Sequence, residues 1–135
     1  MIGSTPVTWM SKCQVAVATS TYSAEVCAMR VTTEEAVYNL VYACSLSISV
    51  YEPTKIFGDN LGVIQNASMP EATLQKKHTT ISFHTKVREC VAAKISEPHK
   101  IEGKDNVADI FTKTVDVTTF KYHAWDLMWN TPTSQ

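Results

Sequence analysis

The sequence predicts an α/β fold, with helices packed on a sheet that has at least two parallel strands. Two observations carry this. Strand-like and helix-like segments follow one another in the order strand, helix, strand, helix, helix, strand, helix, helix. The longest helical segment is apolar on two sides, as a helix between a sheet and another helix must be. The length agrees: 135 residues make one domain, and 44% hydrophobic with 19% charged residues is globular composition, not disorder, collagen or coiled coil.

Each element has its own justification. Residues 7–18 are rich in β-branched and aromatic side chains, with Val15 and Val17 alternating, and read as one strand or a strand with a bend. Trp9 reads as core packing of that strand. Ser20 or Thr21 caps a long helix that runs to about Leu46. One stripe holds Glu25, Ala28, Met29, Thr32, Ala36, Leu40 and Ala43; the other holds Ala24, Cys27, Val31, Tyr38 and Val41. Residues 54–58 form a short strand after Pro53, then Gly58-Asp59-Asn60 turns into a short helix reaching about Ala67. Residues 76–92 form a helix with Ile81, His84, Val87 and Val91 inward, and His84 reads as a core side chain. Residues 93–102 alternate like a strand with Ile95 and Ile101 on one face. Pro98 makes it an edge strand, because proline has no ladder donor. Gly103 to Asn106 is a turn and cap before a helix with Val107, Ala108, Ile110 and Phe111. From Val117, Phe120, Ala124, Leu127 and Met128 recur at helical spacing and predict a last amphipathic helix. The chain thus divides into a main part, residues 1–114, and a helix with its tail, residues 115–135.

Twelve basic and thirteen acidic residues leave a net charge of −1, so global charge does not argue for nucleic-acid binding. The local exception is Lys76-Lys77-His78 followed by Lys86 and Arg88, for which a solvated helix face is the plainer reading. Cys13, Cys27, Cys44 and Cys90 form no CxxC pair, and the start of the chain lacks the pattern of a secretory signal. Buried free thiols of an intracellular protein are expected, cytoplasmic with the nucleus left open, and no zinc site. No apolar run reaches the roughly 18 residues of a membrane span, so no membrane partner is expected.

Three carboxylates stand at element ends. Glu25 is placed in the first turn of the long helix, Asp59 at the C-terminal end of a strand, and Asp109 in the first turn of a helix. Parallel sheets put their ligands at the carboxyl ends of strands. Carboxylates from three element ends can meet at one hard-cation site, and two Mg²⁺ ions about 4 Å apart suit phosphodiester hydrolysis. Taken singly, each has a plainer explanation: a dipole partner for Glu25 and Asp109, a turn or cap for Asp59.

Local words link the three. Val17-Ala18-Thr19-Ser20-Thr21-Tyr22-Ser23-Ala24-Glu25, preceded by Thr8-Trp9-Met10-Ser11-Lys12, resembles the helix entry of the RNase H module that ends the Pol polyprotein of copia-type LTR retrotransposons. Ile56-Phe57-Gly58-Asp59-Asn60 resembles its second acidic strand end. Lys77-His78 with His84 and Arg88-Glu89 resembles its basic helix, and Asn106-Val107-Ala108-Asp109-Ile110-Phe111-Thr112-Lys113 its terminal helix. The words keep the family's order over about residues 5–128.

The resemblance implies a mixed five-stranded sheet flanked by helices, and endonucleolytic cleavage of RNA in an RNA–DNA hybrid by two Mg²⁺ ions, with Mn²⁺ as substitute. It implies Glu25, Asp59 and Asp109 as catalytic, metal-binding carboxylates. It also implies Lys76, Lys77 and Arg88 as phosphate contacts, and the reverse transcriptase part of the same polyprotein as partner. The family's first carboxylate is a bridging Asp on its first strand. This chain has no Asp or Glu before Glu25, and its first strand matches the family's third. The expectation is therefore an RNase H-like module lacking the family's first two strands and inactive alone. The alternative is a non-catalytic retroelement remnant that binds nucleic acid or protein.

Overall fold

Ser20 starts the longest element for a local reason. Its side-chain oxygen accepts the Ser23 N–H at 3.2 Å, which satisfies one of the donors a helix start leaves over. The helix α1 that follows covers Thr21–Ser45. The computed structural model describes residues 8–11, 20–69 and 78–129; the side chains of residues 78–84 and 129 lie outside the description. After α1 come strand β1 (Thr54–Gly58), α2 (Leu61–Ser68), α3 (His78–Ala92), strand β2 (Ser96–Lys100), α4 (Asp109–Thr112) and α5 (Val117–Trp129). The α/β class is as the sequence predicts. The expected strand over 7–18 falls largely outside the described residues, and 8–11 take neither helix nor strand form.

The chain forms two units, residues 14–101 and residues 1–13 with 102–135. In the first unit, β1 and β2 are parallel, with Ile56 opposite Pro98. Parallel strands cannot be joined by a tight turn, and α2 with α3 form the crossover between them. Among the described residues the sheet has these two strands. Its ladder begins with Thr54 N–H donating to the Ile95 carbonyl and ends with Ile101 N–H donating to that of Gly58, both at 2.9 Å. Bonding residues alternate along a parallel ladder, so those of β2 are the odd-numbered ones. The nitrogen of Pro98 therefore faces away from β1, where a missing N–H breaks no bond.

Val26, Met29, Val63, Ile64, Ala67 and Val87 form the core of this unit, with Tyr22 and Val91 packed against it. Burying such side chains stabilises by roughly 1.5–3 kcal/mol each for the larger ones. α1 contributes one buried stripe, Val26, Met29, Thr33 and Ala36. Thr33 is accommodated because its hydroxyl donates to the Met29 carbonyl at 2.8 Å. The second stripe is not covered as expected: Val31, Tyr38 and Val41 are exposed. β2 also differs from expectation. Ser96 and Pro98 face inward, while Ile95 and Ile101 lie just beyond the strand ends and are half-buried.

The other unit holds α4 and α5. Asp116 caps α5 by accepting the Thr118 and Thr119 N–H groups at 3.0 and 3.1 Å. The inward residue of α5 is His123, 1% exposed, rather than Phe120 or Met128, which are exposed. Trp9, expected in a core, is 70% exposed. Of the cysteines, Cys90 is buried, Cys27 half-buried and Cys44 exposed; Cys13 lies outside the described residues.

Candidate carboxylate site

Glu25 and Asp59 belong to the same unit, and the packing around them fixes their neighbourhood. β1 ends at Gly58, and Asp59 follows it at the carboxyl end of the strand. The cap of α2 is Asn60, whose side-chain oxygen accepts the Val63 N–H at 3.3 Å. The capping role that Asp59 could have filled is therefore held by its neighbour. Glu25 is the fifth residue of α1, just past the first turn in which it was expected. A first-turn dipole role does not explain its charge.

Two contacts set α1 against the end of β1. A Cβ built on Gly58 would stand 3.8 Å from Met29 Cε, and one built on Gly62 would stand 3.9 Å from Tyr22 Cε2. Tyr22, Glu25 and Met29 are spaced three and four apart, so they share one helical face. The residues on either side of Glu25 along that face pack beside Gly58 and Gly62, which bracket Asp59. Both carboxylates are half-buried at this corner.

Three residues hold the corner together, and of these only Arg88 was a site residue expected from the sequence. Asn66 of α2 donates from Nδ2 to the Tyr22 hydroxyl at 2.7 Å. Arg88 of α3 donates from Nε to the Asn66 main-chain carbonyl at 2.8 Å. That carbonyl lacks the usual helical partner, because the residue four further on is Pro70, which has no N–H. A proline four residues after Asn66 was the sequence signal for an orphan carbonyl. Arg88, expected as a phosphate contact, has this structural bond and is half-buried.

Asp109 lies in the other unit and opens α4 as expected. Its carboxylate accepts from Asn106 Nδ2 at 3.1 Å and takes Lys113 Nζ at 3.2 Å on each oxygen. Asn106 also accepts the Ala108 N–H, so one side chain fixes both the turn and the acid. Lys76 and Lys77 lie outside the described residues, and His84 is described only in its backbone. His99, for which no role was expected, packs its ring 5.7 Å from that of Phe57.

The donor chemistry of Glu25 and Asp59 suits a hard divalent ion, which takes carboxylate oxygens. Within the described residues of each unit, no three His, Cys, Asp or Glu side chains cluster as a metal site. Burial pushes the Cys27 thiol pKa up, with Arg30 acting against this. No helix among the described residues is long and apolar enough to cross a membrane.

The chain is 28% identical over 123 residues to the retrovirus-related Pol polyprotein from transposon RE1 of Arabidopsis thaliana. The similarity spans 91% of this chain and 8% of that protein. It supports an origin in a retrotransposon Pol polyprotein and leaves the particular activity open. No family model matches, and no solved structure matches significantly.

Proposed function

We propose that the chain is part of the RNase H-like nuclease module of a retrotransposon Pol polyprotein, acting on the RNA strand of RNA–DNA hybrids. The observation that carries this reading is the corner described above. A carboxylate at the end of a parallel strand and a second on the helix face packed against that end are what a divalent-cation site at a sheet edge needs. Similarity to a Pol polyprotein along most of the chain gives the same direction. In this reading Glu25 and Asp59 would hold Mg²⁺, or Mn²⁺ in its place, and Asp109 is the further acid that the family resemblance implies. When bound, the ions would supply an activated water and stabilise the leaving oxygen. Lys76, Lys77 and the terminal nitrogens of Arg88 hold backbone phosphates, a contact that weakens with salt. The reverse transcriptase part of the same polyprotein presents the hybrid, and strands outside these residues complete the five-stranded sheet.

The test joins the chain to the strand-bearing segment that precedes the matching region of a related Pol polyprotein. That fusion is expected to cut labelled hybrid with Mg²⁺. Asp59→Asn should lower the rate by more than the roughly 10–100-fold that outer-shell changes cost. Cutting that survives Asp59→Asn sinks the reading. The 135-residue chain alone is expected not to cut, because no acid precedes Glu25.

A second reading, a non-catalytic module that binds nucleic acid, is favoured by Asp109. Its carboxylate is already neutralised by Lys113 and held by Asn106. Salt-sensitive hybrid binding without cutting, even in the fusion, would select it.

A further inference from the structure

Tyr22, Asn66 and Arg88 make a polar chain through three helices, and it ends one turn from Glu25. We infer that Tyr22 is a positioning residue for the Glu25–Asp59 carboxylate pair, acting through its hydroxyl bond to Asn66; this rests on the nuclease reading above.

The argument is geometric. The apolar core holds α1 against α2 by close-packed contacts that are not directional. A hydrogen bond is directional. The 2.7 Å bond from Asn66 Nδ2 to the Tyr22 hydroxyl joins the C-terminal part of α2 to the first turn of α1, which carries Glu25 one turn on. Asn66 is itself held from the other side, by Arg88 on its main-chain carbonyl. The same helix α2 begins at Asn60, directly after Asp59. Asp59 is thus tied to one end of α2, and Glu25 to the other through Tyr22, three residues earlier on α1. The Tyr22 ring also lies near Gly62, where a Cβ would stand 3.9 Å from Tyr22 Cε2. Pro70 explains why the anchor needs an arginine: without a helical N–H, the Asn66 carbonyl calls for a donor from another element. A shift of α1 along its axis would move Glu25 relative to Asp59 and break the Tyr22–Asn66 bond. That is why this bond bears on the site and not on the fold alone.

The experiment measures Mn²⁺ binding to the full chain by paramagnetic broadening of the amide signals of residues 58–60, together with thermal melting. The unsubstituted chain is expected to bind, and Asp59→Asn to abolish the broadening. Tyr22→Phe removes only the hydroxyl; it is expected to weaken binding about tenfold, the low end of what outer-shell partners contribute to metal affinity, with the melting point nearly unchanged. Asn66→Ala breaks the same link from the other side, keeps the carbonyl for Arg88, and is expected to match it. Binding lost with Asp59→Asn but unchanged in both Tyr22→Phe and Asn66→Ala would overturn the positioning role while leaving the nuclease reading intact. Weakened binding that only tracks a lower melting point overturns it too, since the bond would then be merely structural. No broadening in the unsubstituted chain would overturn the metal site and this inference with it.

Discussion

At the start of α5, Asp116 accepts two main-chain N–H groups with one oxygen, and the Thr119 hydroxyl donates to the other. The Thr119 hydroxyl, followed by its main-chain N–H, holds the Asp116 carboxyl below the usual carboxylate range. A carboxyl depressed in the folded state stabilises it above the unfolded pKa, and that contribution is lost as pH falls through the folded pKa. α5 should therefore lose helicity as the pH is lowered below roughly 4. Asp116→Asn should keep a weaker cap and flatten that pH dependence. Amide signals of Thr118 and Thr119 followed through the titration check both. Tyr22 acts at the same scale with a different consequence: one hydroxyl sets the slide of a helix, while one carboxylate sets where a helix starts.

Helix ends show what each element demands. α1 and α3 both close with a residue in the left-handed region, Ser47 at φ 61° and Lys94 at φ 55°. After each, an N–H reaches back five residues, from Ile48 to Ala43 and from Ile95 to Cys90, both at 2.9 Å. Glycine adopts this conformation without the crowding of a Cβ. Lys94→Gly is expected to stabilise the chain by about 1 kcal/mol, read as a higher denaturant midpoint at unchanged slope. These ends also mark how far the sequence could be read. β1 was legible to the residue, because Pro53 and the Gly58-Asp59-Asn60 turn bound it with local chemistry. The cap at Ser20 was legible for the same reason. Which stripe of α1 is buried was not: spacing reports that Val31, Tyr38 and Val41 share a side, not whether anything covers it. The inward face of β2 was misjudged because Ile95 and Ile101 are more apolar than Ser96 and Pro98. Pairing with β1 begins at Thr54 opposite Ser96 and leaves the isoleucines at the ends. Of the candidate site, Glu25, Asp59 and Asp109 were expected from words in the sequence. The polar chain of Tyr22, Asn66 and Arg88 was not legible, since a bond across 44 residues leaves no local pattern.

For the molecule as a whole, the outer stripe of α1 has a consequence in solution. Tyr38, Tyr42 and Leu46 are 69%, 72% and 64% exposed, and Ile48 and Tyr51 continue the apolar surface beyond the helix. Contiguous apolar surface on this scale drives association. Sedimentation velocity is expected to show concentration-dependent self-association of the chain. Tyr42→Lys with Leu46→Lys should reduce it and change stability by no more than about 0.5 kcal/mol per site. A monomer at every concentration would contradict this. The placement of one proline reaches further. Pro98 turns its nitrogen to the outer side of β2, so a strand arriving there meets a gap in the middle of its ladder. β1 has no such gap, and the groups of Lys55 and Phe57 point to its far side. The sheet therefore has a direction of growth: an added strand extends it past β1, and one ring nitrogen closes it past β2.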